Sequence, residues 1–251
     1  MGVVTTHIEH HIAKITMDRP AALNAFNAQM FDDLCDAFLA AAADEKVKVA
    51  VLTGAGRAFS AGADLKAGRG GESRHGLEGL LFALIDFPKP LIVAANGVGA
   101  GIGCTIFGLS DMTYVAESSR FRCPFSALGL TAEASSTYTF PRMLGHQRAS
   151  WILLSSQWIS ARECVDAGLA LEVFADDEFM DKVMEKATIL AKLPLASLIK
   201  TKELLRAPHR QAMRDAVLTE NIGLSELVGG PANVEAIKAF ADKREPDFST
   251  Y

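Results

Sequence analysis

Apolar and polar positions alternate in two short blocks over residues 3–17, which predicts a strand pair stopped by Asp18-Arg19-Pro20. From Asn27 to Ala43 the period becomes helical, with Met30, Phe31, Leu34, Phe38 and Leu39 on one stripe and acidic residues opposite. A buried strand over 47–53, a helix over 77–87 and a second buried strand from Leu91 to Ala95 come next, the last bounded by Pro90 and the Asn96-Gly97 turn signal. Residues 112–116 and 120–123 read as strands, 146–156 and 161–167 as helices, and 170–174 as a closing strand. From Asp177 the pattern is helical throughout, over 177–192, 195–206, 209–228 and 232–243, with Pro194 and Pro231 marking two of the starts. Between the early strands, residues 66–76 are polar and glycine-rich and predict a loop placed as a lid. The fold class is α/β, with a core expected over 1–193 and a helical region over 194–251.

Two glycine-rich stretches interrupt this pattern, each at the end of a buried strand. The first carries Gly54, Gly56 and Gly62, and the second carries Gly97, Gly99, Gly101 and Gly103 ahead of Cys104 to Leu109, which read as the first turns of a buried helix. Glycines give up chain entropy and bury no side chain, so their density points to backbone that approaches something closely. Amides left free at such turns can donate to an oxyanion, and two stretches of this kind can each supply one donor to the same oxygen.

Composition narrows the chemistry. The chain has 251 residues, of which 49% are hydrophobic and 22% charged, which is the balance of a globular protein with a substantial core. A net charge of −5 argues against general nucleic-acid binding. Cys35, Cys104, Cys123 and Cys164 form no C-x-x-C pair, so buried reduced thiols are expected. His7, His10 and His11 alternate across a strand and cannot share one face, and no metal site is expected. No apolar run is long enough for a membrane span, and neither a secretory leader nor a peroxisomal tripeptide is recognisable, so the expected compartment is cytoplasmic. The glycines lack the third member of the dinucleotide fingerprint, and no Gly-Lys-Ser/Thr follows them. Ser60, in AFSAG, resembles a nucleophile elbow and gives a serine-hydrolase alternative, with His146 or His209 as its base.

A collinear set of motifs covers nearly the whole chain: Asp18-Arg19-Pro20 with Leu23-Asn24-Ala25, then LTGAGRAFSAGADL, KPLIVAANGVGAGIG, SRFRCPFSALGL and AFADKREPDF. In this order they closely resemble the crotonase, or enoyl-CoA hydratase/isomerase, superfamily. The resemblance implies a spiral of strand-strand-helix units and a helical tail that packs into trimers or dimers of trimers. It also implies acyl-CoA thioester substrates, with coenzyme A entering as part of the substrate and no separate cofactor. The thioester oxygen is then held by the amides of Ala63 and Ile102. At Ile102 the family usually has glycine, but a backbone donor survives that change, and the side chain is expected to shape the acyl pocket. By the same resemblance Ala22, Ser60, Ala61, Gly62, Asp64, Leu65, Lys66, Gly101 and Phe125 line the substrate site. Lys66 and Arg69 are placed to meet CoA phosphates, and Phe240 and Lys243 to reach the CoA of a neighbouring subunit.

Carboxylates separate the subfamilies. Hydratases that resemble this chain use two glutamates to orient and deprotonate water, and those positions fall at Thr105 and Phe125, neither of which can take a proton. The run PFSALGLTAEASSTYTFP instead resembles peroxisomal-type Δ3,Δ2-enoyl-CoA isomerases, in which the glutamate at the place of Glu133 is the sole base. The segment AKLPLASLIKTKELLR supports that branch. Apolar Leu128, Leu130 and Ala132 predict partial burial of Glu133 and a raised pKa. Asp64 reads as a bracing residue. Hydration, another acyl-CoA lyase reaction, or noncatalytic acyl-CoA binding on the same fold are the alternatives.

Overall fold

The computed structural model describes residues 2–65 and 73–251. Along the chain lie β1 (Val4–Glu9), β2 (Ile12–Met17), α1 (Ala28–Ala43), β3 (Val49–Gly54), β4 (Ala58–Ser60) and α2 (Gly76–Asp86). Then come β5 (Leu91–Ala95), β6 (Val98–Ala100), α3 (Ile102–Thr105), β7 (Met112–Ala116) and β8 (Arg120–Arg122). Next are α4 (Ser136–Leu144), α5 (His146–Ser155), β9 (Trp158–Ser160), α6 (Ala161–Ala167) and β10 (Glu172–Phe174). The chain finishes with α7 (Phe179–Ala191), α8 (Leu195–Arg206), α9 (Arg210–Leu227) and α10 (Pro231–Asp242).

From β3 to β8, strands following one another alternate between two sheets. One sheet has six strands in the order β1-β2-β3-β5-β7-β10, and the other has four in the order β4-β6-β8-β9. β2, β3, β5, β7 and β10 run parallel, as do β4, β6 and β8, while β1 and β9 join antiparallel at the edges. Each of these units thus lays one strand in the large sheet and one in the small sheet, and helical segments make the return before β5 and β7, while α1 joins β2 to β3 within the large sheet.

Period-2 geometry divides the core. Ala50, Leu52, Leu91, Val93 and Ala95 face the main core between the sheets and α1, α2, α4 and α5. Val49, Val51, Ile92 and Ala94 face the other way and are covered by Phe179, Val183, Ala187 and Ala191 of α7. Strands buried on both faces explain the continuous apolar runs at 49–53 and 91–95.

The expected strand pair and the long helices are found within a residue or two of their predicted limits. Three corrections concern short elements. Both glycine-rich turns contain strands, β4 and β6, which at three residues each show no alternation to read. The helix expected from Cys104 is the four-residue α3 followed by a 3-10 turn at Ile106–Leu109. α4 lies where no helix is expected and holds Pro141 in its interior. The 66–72 part of the expected lid, with Lys66 and Arg69, lies outside the described residues.

The tail is tied to the core beside the second glycine stretch. Lys202 of α8 is buried, with its Nζ 2.7 Å from Asp111 and donating to the Lys89 carbonyl, while Arg206 donates to the Leu109 carbonyl at 2.7 Å. Among the described residues, no helix is long and apolar enough to cross a membrane and no cluster of side chains has the composition of a metal site.

Candidate active site

Two motifs from the first third of the chain are locked together by one asparagine. Asn24 is fully buried; its amide donates to the carbonyls of Ala55 and Ala58 and its side-chain oxygen accepts from Arg19 N–H. Ser60 completes the lock. Its hydroxyl donates to the Asn24 carbonyl at 2.9 Å and accepts from Gly62 N–H at 3.2 Å, and the side chain is completely buried. That overturns the serine-nucleophile reading, because the hydroxyl is spent on backbone. The histidines suggested as its base are elsewhere: His146 is exposed, and His209 Nδ1 pairs with the Tyr138 hydroxyl.

The lock lays residues 23–26 alongside 61–64. Ala61 N–H donates to Leu23, Phe26 N–H to Gly62 and Asp64 N–H to Phe26, with Phe26 and Ala63 as bridge partners. In a parallel bridge the residue between the two bonded groups turns its own N–H outward, so the Ala63 amide points away from residues 23–26. Gly101 lies close by. A Cβ on Gly62 would sit 2.6 Å from the Ala100 carbonyl oxygen, and one on Gly101 would sit 3.8 Å from Gly62 Cα. Both glycines have left-handed φ, +84° and +54°, which L side chains rarely adopt. The peptides carrying the Ala63 and Ile102 amides therefore leave from two glycines packed against each other. Neither amide is taken by a turn or loop carbonyl among the described residues. Ile102 opens α3, where a first-turn N–H has no intrahelical partner, and its side chain is buried in the main core, which also contains Phe125 and Ala132.

Glu133 is 6% exposed. Its Oε1 accepts from the Thr105 hydroxyl at 2.6 Å, and its Oε2 is buried with no partner. Burial raises its pKa to about 8, with the negative Glu220 adding to the rise and the Thr105 hydrogen bond opposing it. Cys123 also faces this carboxyl, and its own thiol is pushed up by a contact with Cys104 and by burial. An unbonded carboxylate oxygen with a pKa near neutrality is suited to taking and returning a proton.

Arg19 holds Asp64 in an ion pair at 3.0 Å. Ala22 ends the 3-10 turn Pro20–Ala22, one residue before Leu23, whose carbonyl accepts Ala61 N–H, and Leu65 is exposed. Phe240 and Lys243 are not brought to these residues by any described hydrogen bond. They lie at the end of α10, which is fastened elsewhere through Asn233 and the Leu128 carbonyl. Three functional positions escaped sequence reasoning: Asn24 as the lock, Thr105 as the partner of Glu133, and Glu220. The first stood within a quoted motif; the other two pair across 28 and 85 residues of sequence, with no local signal.

Comparisons with known proteins identify the family. A family model described as enoyl-CoA hydratase/isomerase matches residues 7–250. The rat protein named enoyl-CoA delta isomerase 2 is 38% identical over 221 residues, 84% of this chain and 56% of the relative, so the chain spans little more than half of that protein's length. The Escherichia coli 2,3-dehydroadipyl-CoA hydratase is 33% identical, with 96% of each chain covered. A solved enoyl-CoA hydratase/isomerase from Pseudoalteromonas atlantica superimposes with a TM-score of 0.94 at 29% identity, covering 98% of this chain and all of that one. With the paired-strand spiral, the two glycine-rich strand ends and a family match over almost its whole length, the chain belongs to the enoyl-CoA hydratase/isomerase family.

Proposed function

We propose that the protein moves the double bond of a 3-enoyl-CoA into conjugation, giving trans-2-enoyl-CoA, with Glu133 as the only base and the amides of Ala63 and Ile102 holding the thioester oxygen. The observation that carries the reading is the Oε2 atom of Glu133, buried and unpartnered beside an Oε1 fixed by Thr105. Oε2 takes a proton from C2, the electron pair delocalises onto the thioester oxygen as a dienolate, and the same carboxyl returns the proton at C4. No water is consumed and no second acid is needed. A fixed amide donor at the developing oxyanion is typically worth about 3 kcal/mol of barrier.

Hydration is the competing chemistry, and the similarity to the Escherichia coli hydratase keeps it in view. Water addition in the manner of two-glutamate hydratases needs carboxylates at the places of Thr105 and Phe125. Here the first is a hydroxyl already bonded to Glu133, and the second is a buried ring. The test uses trans-3-enoyl-CoA and trans-2-enoyl-CoA side by side. Conjugation, read as ultraviolet absorbance, is expected from the first, and loss of that absorbance by hydration is not expected from the second. Glu133→Gln keeps the shape and removes the base, so isomerisation falls by roughly 10²-fold or more. Isomerisation near the wild-type rate in Glu133→Gln would refute the base assignment and turn attention to Asp64.

A further inference from the structure

Glu133 is followed by two residues in a conformation that non-glycine residues avoid. Ala134 has φ +59° and Ser135 φ +58°, a backbone region that is strained for any L side chain. A strained pair persists only where its surroundings over-determine it. Those surroundings come from the tail: Glu220 on α9, 5% exposed, accepts Ser135 N–H on Oε2 at 2.7 Å, and on Oε1 accepts Thr137 N–H at 2.9 Å and the Thr137 hydroxyl at 2.6 Å. α4 lacks a cap from its own N-cap side chain, Ser135, and Glu220 serves instead as a cap from outside the helix. Three donors around one buried carboxyl favour its anionic form against the burial that raises its pKa.

We infer that Glu220 is a positioning residue for the reaction: by capping α4 and holding Ala134-Ser135 left-handed, it fixes the base Glu133 from the tail helix and sets its charge environment. The inference rests on the reading of Glu133 as the base. Among the described residues, the ionisable groups that interact electrostatically with Glu133 are Glu220 from α9 and Cys123 from the segment after β8, with Thr105 of α3 as the neutral donor. Glu220 itself faces Ser135 and Thr137 of the α4 start. The tail of this chain is then part of the active site without touching substrate.

The experiment compares Glu220→Gln, Glu220→Asp and Glu133→Gln in the isomerase assay across pH, with KM and kcat separated. In Glu220→Gln the amide nitrogen confronts N–H donors and the charge is gone. Expected are a kcat lower by about tenfold through misplacement of the base, a KM close to wild type, and an acid limb of kcat/KM moved to lower pH. The limb moves that way because removing a negative neighbour makes the Glu133 carboxylate easier to form. Glu220→Asp restores charge and part of kcat. If Glu220→Gln does not fold, Thr137→Val carries the test: it deletes one hydrogen bond, and kcat falls with KM and the acid limb unmoved. Lowered thermal stability with wild-type kcat and an unmoved limb in Glu220→Gln, or wild-type kcat in Thr137→Val, would overturn the inference. Should Glu133→Gln itself stay active, the base reading has failed, and not the Glu220 inference alone.

Discussion

The Thr105 hydroxyl donates to Oε1 of Glu133 at 2.6 Å, from the position at which water-activating hydratases of this family have a carboxylate. In the proposed reaction this hydroxyl orients the base instead of acting on water. It leaves Oε2 as the single oxygen available to substrate, and it partly offsets the cost of ionising a buried carboxyl.

Thr105→Val tests that relationship. A hydrogen bond to a charged group is worth about 1.5–3 kcal/mol, so ionisation of Glu133 becomes harder by that order. The acid limb of kcat/KM is expected to move to higher pH. On the acid side of the wild-type limb, the rate should drop by about tenfold or more. A pH-rate profile superimposable on that of wild type would show that the bond does not bear on catalysis.

Burial of Glu133 also makes this carboxyl a stability liability. Its folded pKa, about 8, lies above the ordinary value of 4.5. Between those limits the folded protein holds a proton that the unfolded chain has released, so stability falls as pH rises through this window. Glu133→Gln has no proton to lose. It should match wild type near pH 4 and exceed it increasingly up to pH 8, by about 2–4 kcal/mol at the top. Denaturant titrations of both proteins across that range supply the check, and parallel stabilities would mean that the carboxyl is not desolvated.

Gly62→Ala separates the oxyanion contacts from general stability. The new Cβ would meet the Ala100 carbonyl oxygen at 2.6 Å in a left-handed residue, forcing apart the two peptides that carry the Ala63 and Ile102 amides. kcat/KM is expected to fall by roughly 10²-fold, the scale of one lost oxyanion donor. Gly145→Ala is the control: φ is +79° there, but a Cβ would meet nothing within 4 Å. It should cost about 1–3 kcal/mol of stability and leave the kinetics alone. Equal kinetic effects in the two variants would remove the special role of Gly62.

How much of this was legible depended on distance along the chain. The double burial of β3 and β5 and the stripe of α1 are written in contiguous residues, and both were readable. Gly62 and Gly101 advertised a close approach, though not that they approach each other. α4 was invisible because its N-terminal cap, Glu220, stands 85 residues from Ser135 and because Pro141 lies inside it. Ser60 misled for the converse reason. A local AFSAG pattern suggested an exposed hydroxyl, whereas Asn24, 36 residues earlier, buries and occupies it. The short strands β4 and β6 are fixed by pairing with each other and with β8, which no local period records.

The tail carries apolar stripes that its own chain does not cover. Leu204 and Leu205 on α8 are 66% and 70% exposed, and Leu218 with Ile222 on α9, and Val234, Ile237 and Phe240 on α10, repeat at helical spacing on open faces. Exposed apolar stripes of this kind mark contacts with other chains. A second and third copy of this chain are the expected occupants, in a trimer or a dimer of trimers, and light scattering at micromolar concentration should give a multiple of three. In such an assembly a neighbouring subunit would present Phe240 and Lys243 to the CoA bound at the 22–26 and 61–65 edge. Phe240→Ala should raise KM several-fold for CoA thioesters while leaving kcat within a factor of about two, the pattern of lost uniform binding. A monomer in solution would defeat the assembly, and an unchanged KM in a confirmed trimer would defeat the shared site while leaving the assembly standing.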